Sequence, residues 1–435
     1  MKRAFSVCFL FIFITGALFT TNASAQDFVP LFNGKNLDGW VNVNCAPETW
    51  TARDNMIVCS GVPYGVLRTD KQYENYILEF EWKHIEKGGN AGLFIHAAAL
   101  PGSNWPFPPS FEVQVQDGNP GDVFPISGPK MTPSKPSQGG RVMSRPTEDR
   151  QKPAGEWNHY RVESRDGTVK VAINGEFVTT AYHLNPRKGY ICLESEGSEI
   201  HFRDIKISEL PSTNPPPDVI AKEDEGFRSL YNGVDLRGWK QVPGNVGHWT
   251  SKGWILSYDG QSTAPTDDKH LTTEEEFVDF VLIADWRLPA EPVIEAVPVI
   301  LPDGSVLKDA EGENVNVEVM DAGDSGIYLR GSEKAQVNIW NWPVGSGEFY
   351  GYRTDQSMSA EVRKGATPFL NADNPVGDWN RFEITVIGES VTIILNGKTV
   401  IREAHLPGIP AKGPIKLQHH GEGVEFSNIF IKELD

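Results

Sequence analysis

Hydrophobic and polar positions alternate with a period of two along much of the chain. Tyr76-Ile77-Leu78-Glu79-Phe80-Glu81-Trp82-Lys83, Phe111-Glu112-Val113-Gln114-Val115-Gln116 and Thr168-Val169-Lys170-Val171-Ala172-Ile173 each set apolar side chains against polar ones. That is the pattern of strands with one buried and one wet face. Asn174-Gly175 and Asn396-Gly397 lie between such runs and predict two-residue hairpin turns, whose central residues take positive φ. No long stretch shows the 3.6-residue period of an amphipathic helix. The pattern predicts an all-β chain built of antiparallel sandwiches.

The strand pattern occurs twice. Leu31 to Trp40 recurs as Leu230 to Trp239 at an offset of 199, with six of ten positions identical. Trp157, Ile173-Asn174-Gly175 and His183-Leu184 return 222 residues later as Trp379, Leu395-Asn396-Gly397 and His405-Leu406. Gly189 to Leu210 aligns without a gap on Gly413 to Leu434, nine of 22 identical, so the second copy carries longer loops. The expected organisation is a leader over 1–25, a first sandwich over 26–210, a Pro-rich linker over 211–225 and a second sandwich over 226–435. Pro211-Ser212-Thr213-Asn214-Pro215-Pro216-Pro217 and the charged residues after it predict a stiff, solvated linker. The leader is read from Lys2 and Arg3, the apolar run Ala4 to Phe19 and the small-residue pattern Ala23-Ser24-Ala25. These match a secretory signal peptide cleaved near Ala25 and predict a periplasmic or secreted protein. An apolar run of 16 residues is short for a spanning helix, so no membrane insertion is expected.

Charge narrows the partners. A formal net charge of −18 over 435 residues argues against nucleic acid and against an anionic membrane, both of which need a basic surface. Outside the leader stand Cys45, Cys59 and Cys192. An exported chain favours a Cys45–Cys59 disulfide and leaves Cys192 buried and free. The absence of a C-x-x-C pair speaks against structural zinc, and no Walker loop calls for a nucleotide cofactor. Gly323-Asp324-Ser325-Gly326 spells a protease nucleophile motif, but its counterpart Gly89-Asn90-Ala91-Gly92 has no serine, so a strand-entry turn is expected.

Period two also sorts the polar residues. With Leu78, Phe80 and Trp82 inward, Glu79, Glu81 and Lys83 face out; by the same count Phe94 and His96, Glu112 and Gln114, and Glu194 and Glu196 face out. On neighbouring strands, Glu81, Lys83, His96, Glu112 and Glu194 would share one concave surface. There a Lys or His beside carboxylates does acid–base work, and His with Glu holds a divalent metal. A merely solvated strand face is the alternative. In the second copy the matching positions hold Asp285, Arg287, Tyr328, Arg330, Gln336, Asn338, Trp340, Gln418 and His420. Amides cannot accept a proton as a carboxylate does, whereas amides, Arg and Trp suit hydrogen bonding and stacking on a sugar. The first copy is therefore expected to carry chemistry, and the second to bind substrate or complete the cleft, with the reverse assignment as the alternative. The sugar-binding candidates are Gln114, Trp105, Arg287, Arg330, Asn338 and Trp340. Trp105, within Trp-Pro-Phe-Pro-Pro, reads equally as a stacking platform or as a packed loop cover.

Taken together, Leu-Phe-Asn-Gly-Lys-Asn-Leu-x-Gly-Trp, the Glu-Trp-Lys strand end, the Gly-Asn-x-Gly-Leu-Phe turn, Phe-Glu-Val-Gln and the closing Leu-x-x-x-Gly-x-x-x-x-Phe-x-x-Ile pattern resemble the 3-keto-disaccharide hydrolase family. That family is also described as the 3-keto-glucoside 1,2-lyase/3-keto-2-hydroxyglucal hydratase domain. The resemblance covers both halves. It implies concanavalin A-like jelly-roll sandwiches, exported bacterial carbohydrate breakdown, a 3-keto sugar substrate and an upstream sugar 3-dehydrogenase. A ketone at C3 acidifies the C2 proton, so a base removes it and the glycosidic oxygen leaves C1 with help from an acid. Carried onto this chain, the resemblance makes Glu112 or His96 the base, and Lys83 or a divalent metal the enolate stabiliser. Glu81 or Glu194 is then the acid or a metal ligand. A non-catalytic, lectin-like tandem and a conventional glycoside hydrolase with paired carboxylates are the competing readings.

Overall fold

A computed structural model describes residues 27–137, 139–265 and 269–434; the leader read over 1–25 lies outside the described residues. Alternating runs pair into two face-to-face antiparallel sheets in each copy. In the first copy the front sheet has six strands, in the order Trp40–Val43, Gly65–Thr69, Tyr190–Ser195, Gly92–Ala97, Ser110–Gln114, Val123–Ile126. Its nine-stranded back sheet is centred on Asn158–Arg165, Tyr76–His84 and Ile200–Glu209. The second copy repeats the plan. Its five-stranded front sheet includes Lys416–Leu417, Ser325–Tyr328 and Gln336–Ile339, and its eight-stranded back sheet is centred on Asn380–Ile387, Phe280–Arg287 and Val424–Glu433. Strands distant in sequence lie side by side and the chain crosses repeatedly between sheets, so both copies are concanavalin A-like jelly rolls.

The repeated motifs are the hardware of this fold. Each core lies between its sheets, with Phe80, Trp82, Tyr160 and Phe202 in one and Trp249, Trp286, Phe382 and Phe426 in the other, all buried. The duplicated tryptophans, Trp40 and Trp239, donate their indole N–H to Leu31 O (2.9 Å) and Leu230 O (2.7 Å). The opening motif therefore staples its own ends. Asn174-Gly175 and Asn396-Gly397 all take positive φ, as type I′ turns require.

One expectation is refined and one corrected. The linker is exposed over most of 211–225, as expected, but tethered: Arg187 N donates to Val219 O (2.9 Å), Ala221 N to Lys188 O (2.8 Å) and Ala99 N to Lys222 O (3.0 Å). Asp224 also pairs with the buried Arg68, which stacks over Tyr190 at 4.4 Å. Several backbone groups of this Pro-rich segment thus find partners along the first copy. The cysteines are unbonded: Cys45, Cys59 and Cys192 are buried thiols. The Cys59 sulfur accepts Gly61 N–H at 3.3 Å, while the Cys45 sulfur faces Pro63 O at 3.9 Å. Burial pushes the Cys59 thiol up to about 11.

The copies dock front to back. Val43, Val66, Phe94, Tyr190 and Cys192 on the first front sheet pack with Phe107, Ile283 and Phe430, the last two from the back sheet of the second copy. Ile283 stands opposite Phe430; at the same register in the first copy, Glu79 stands opposite Lys206 and pairs with it at 3.1 Å. One register site is thus charged where the back sheet is wet and apolar where it docks. At the polar centre of this interface the Asp285 carboxylate is wholly buried. It accepts from Arg381 Nε (2.6 Å) and Nη2 (2.9 Å), Asn428 Nδ2 (2.7 Å) and Asn104 N (3.1 Å). Arg381 also donates to Pro101 O and Gly102 O at 3.0 Å each, and Asn44 to Asn428 Oδ1 at 2.6 Å. The segment 98–109 is fixed between the copies by these bonds.

Removing one partner of a buried ion pair strands the other charge, at a cost of about 3–5 kcal/mol. Arg381→Ala should therefore destabilise the chain by about 3 kcal/mol in urea unfolding. Adding Asp285→Ala should restore much of that loss, giving a coupling free energy above about 1 kcal/mol in the double-mutant cycle.

Candidate active site

The order of the first front sheet places the strands bearing Glu194, Gly92 and Glu112 side by side. A Cβ on Gly92 would stand 2.8 Å from Glu194 Oε2 and 2.9 Å from Glu112 Oε1, so both carboxyl groups fold over the glycine and converge. Those two oxygens are buried and receive no hydrogen bond from the described residues. The side chains are 4% and 1% exposed, and burial pushes both carboxyls well above the usual carboxylate range; the neighbouring carboxylates add to the push. Two carboxylates desolvated this closely cannot both ionise, so the pair holds at least one proton at neutral pH. The second copy carries an amide pair instead. At the matching positions Gln336 Nε2 donates to Gln418 Oε1 at 2.5 Å, above Gly326.

The surroundings complete a polar floor and an aromatic wall. Glu196, half-buried and reaching solvent, accepts from Asn90 Nδ2 on the strand-entry turn. Glu112 is flanked across the strands by Phe94 and Phe124. The Arg141 guanidinium lies 3.8 Å over the Phe124 ring. Tyr64 and Phe107 stack in parallel at 6.2 Å. Asp122, at the turn beyond Gln114, is buried against Arg145 at 3.1 Å. Gln114 itself is nearly buried and accepts its neighbour Val115 N at 2.9 Å. The larger cavities lie elsewhere: one of about 570 Å³ runs along Leu100, Gly102 and Phe227 between the copies, and one of about 510 Å³ lies beside Lys135 and Arg145. Of the charged groups around the pair, Glu196 is half-buried and Arg141 is exposed.

Of the residues expected on one surface, Glu112, Glu194 and Gln114 meet. Glu81 and Lys83 do not: they face outward from the back sheet, in the other layer, where Glu81 pairs with Arg203 at 2.6 Å and Lys83 lies 4.8 Å over the Trp157 ring. Alternation tells which face of a strand a residue takes, not which sheet holds the strand. Glu81 and Glu194 therefore cannot share a metal, and among the described residues no three His, Cys, Asp or Glu side chains are arranged to hold one. His96 breaks the alternation. Its φ of 49° beside an irregular stretch of the Tyr190–Ser195 pairing turns the ring into the sandwich, where it bonds Ser164 Oγ (3.0 Å) and Pro186 O (3.1 Å). Burial pushes that imidazole down to about 4, so it is neutral and away from the front face. Arg330 repeats the turn at φ 48° and donates to Val278 O, Gly388 O and Pro410 O. Arg287 lies on the second back sheet against Glu425 and Trp379, the counterpart of Lys83 on Trp157.

Asn338 on the second front sheet and Trp340 just beyond it are both buried, 3% exposed, with Trp340 stacked on Trp342 at 4.2 Å and its indole N–H donated to Gly345 O at 3.0 Å. That sheet points away from the first copy's front, so the two faces form no common cleft. Trp105 lies at the junction and is 43% exposed, its ring edge-on to Phe107 (6.0 Å) and Trp254 (6.4 Å) and its carbonyl bonded by Asn428 (3.1 Å). Asn90, Asp122 and Arg141 escaped the period-two count because they sit on turns and loops. Comparing the copies carries a signal for one of them: Asn90 with Glu196 becomes Asp324 with His420, 3.7 Å apart. Burial, with Asp321 and Glu422 nearby, pushes Asp324 up to about 7.

The chain is similar to known proteins. A 3-keto-disaccharide hydrolase of Bacteroides thetaiotaomicron is 25% identical over 235 residues, 43% of this chain and 79% of that protein. A solved Parabacteroides distasonis protein, provisionally described as a glycosyl hydrolase, is 26% identical over 42% of this chain and 94% of its own, with a TM-score of 0.34. A Bacillus licheniformis β-glucanase aligns over 43% of this chain and 100% of its own at 13% identity, with a TM-score of 0.30. The 3-keto-alpha-glucoside-1,2-lyase-like domain matches residues 27–208 and again 226–432. With both sandwiches matched, the chain belongs to the 3-keto-alpha-glucoside-1,2-lyase-like family and carries its domain twice.

Proposed function

We propose that this chain cleaves 3-keto-glycosides by elimination across C1 and C2, at the Glu112–Glu194 pair of the first copy. The family and the curated relative support the substrate class. The observation that carries the site is the convergence of two buried, undonated carboxyl groups over Gly92. With one shared proton the pair supplies both groups the reaction needs. The ionised carboxylate takes the C2 proton, the electron pair forms the C1=C2 bond, and the C1–O bond breaks. The protonated partner gives its proton to the departing oxygen. One proton is gained and one given, so the pair ends as it began. Addition of water across the new double bond makes the net reaction a hydrolysis. Glu81 does not reach Glu194, and no step is assigned to a metal. The substrate requires an upstream reaction that oxidises a sugar C3 hydroxyl, and the leader over 1–25 would place the cleavage outside the cytoplasm. Gln336 and Gln418 cannot cycle a proton, so the elimination is assigned to the first copy alone.

Three measurements follow from the site. Incubated with a 3-keto-glucoside, the wild-type chain should release free sugar, with transient enone absorbance, while leaving the parent glucoside intact; cleavage of the parent at a similar rate would instead identify a conventional glycosidase. Glu112→Gln and Glu194→Gln should each lower kcat by about 10²-fold or more with little change in KM. Stability should move with pH in a defined direction. The folded-state pKa of Glu194 is raised, so the contribution of the protonated form is complete below the unfolded value of about 4.3 and is lost as pH rises through the folded value. The melting temperature of Glu194→Gln relative to wild type should therefore climb between pH 5 and pH 8.

A further inference from the structure

We propose that Arg141 is a catalytic residue of this elimination, the cation that receives the negative charge developing on the C3 oxygen. The inference rests on the elimination reading and assigns the role that Lys83, on the far sheet, cannot fill. Arg141 is exposed on the loop that follows Lys130–Pro133, and among the described residues its guanidinium makes no hydrogen bond or ion pair. The neighbouring cations are engaged: Arg145 with Asp122, Lys135 with Pro146 O (2.8 Å) and Arg68 with Asp224. What holds Arg141 is a ring. Its guanidinium carbon lies 3.8 Å over Phe124, and Phe124 is the direct cross-strand neighbour of Glu112.

Stacking decides what this cation can do. It occupies the flat face of the guanidinium and leaves the in-plane N–H groups unspent, in the fork geometry suited to an oxyanion. The charge still reaches the site, opposing the upward push on Glu112, Glu196 and Asp122. An Arg locked to one of these carboxylates would have its donors filled before substrate arrived. In the proposed step the C2 proton passes to the ionised carboxylate and electron density moves onto the C3 oxygen, where Arg141 donates charge-assisted hydrogen bonds. The density then returns as the C1–O bond breaks. No bond to Arg141 forms or breaks, and no further reactant is required.

The test compares wild type, Arg141→Ala and Arg141→Lys of the full chain on a 3-keto-glucoside, with kcat, KM and the pH profile as readouts. Arg141→Ala should lower kcat by about 10²-fold while KM stays within about threefold, and should shift the acidic limb of the pH profile upward because the pair loses its nearby cation. Arg141→Lys, which keeps the charge and loses the fork, should restore part of kcat and return the limb toward its wild-type position. A role confined to holding the loop would leave that limb unmoved. Wild-type turnover with Arg141→Ala within twofold in kcat and an unmoved limb overturns the assignment of Arg141 alone. A wild-type chain inert toward 3-keto-glycosides overturns the elimination reading and this assignment with it.

Discussion

The Asp285 carboxylate sits at the centre of the docking face with no access to water, and an isolated charge there would cost several kcal/mol. Its neutralisation organises the junction. Arg381 answers it with two N–H groups and spends its remaining donors on the carbonyls of Pro101 and Gly102. Asn428 and the backbone of Asn104 complete the set. The segment so pinned delivers Phe107 onto Phe94, which it meets edge-on at 5.4 Å. Phe94 in turn stands directly across from Glu112. A charge satisfied at the junction thus fixes the loop that dries the first front face, and drying is what raises the Glu112 and Glu194 carboxyls. The second copy is as much a lid on the first as a domain in its own right.

Duplication let one framework be used in opposite ways. On the back sheets, Glu79 opposite Lys206 keeps the first copy in water, while Ile283 opposite Phe430 commits the second to docking. On the front sheets a glycine sits between two long side chains in both copies, with carboxyls over Gly92 and amides over Gly326. Even the turn before that glycine is exchanged, with Asn90 bonded to Glu196 in one copy and Asp324 beside His420 in the other. Register is retained in each case; polarity changes on the back sheets and protonation chemistry on the front sheets.

Much of this was legible in the chain, and the limits have physical causes. Period two found the strands and Asn-Gly found the hairpins, because both report local conformation. The repeat found the two sandwiches, because the tryptophans at 40 and 239 must each close the same corner. Sheet membership was not legible: Glu81 and Glu112 alternate alike, yet their strands lie in opposite layers, a fact set by crossovers that leave no local trace. Nor was the turn at His96 and Arg330, where a positive φ flips one residue inward and an expected face residue becomes part of the interior. The docking face could have been suspected. Ile283 and Phe430 put apolar residues at outward positions where the first copy has Glu79 and Lys206, and such a substitution on an otherwise wet sheet signals a cover.

The amide pair bears directly on why the carboxyl pair exists. Gln336 and Gln418 show that this fold closes over the central glycine with neutral side chains, hydrogen-bonded to each other and titrating nowhere. Replacing them by two carboxyls gains no packing, since the groups are isosteric. It adds a desolvation penalty that only a retained proton relieves, and a penalty that grows with pH. A duplicated chain holds the cheaper solution in one half and the costlier one in the other. Solubility does not explain the costlier one, because charge buried to this degree contributes nothing to the surface. Packing does not explain it either, because the amides pack as well. What distinguishes the carboxyl pair from its amide twin is the capacity to take up one proton while releasing another, and that capacity is where the chemistry of the first copy lies.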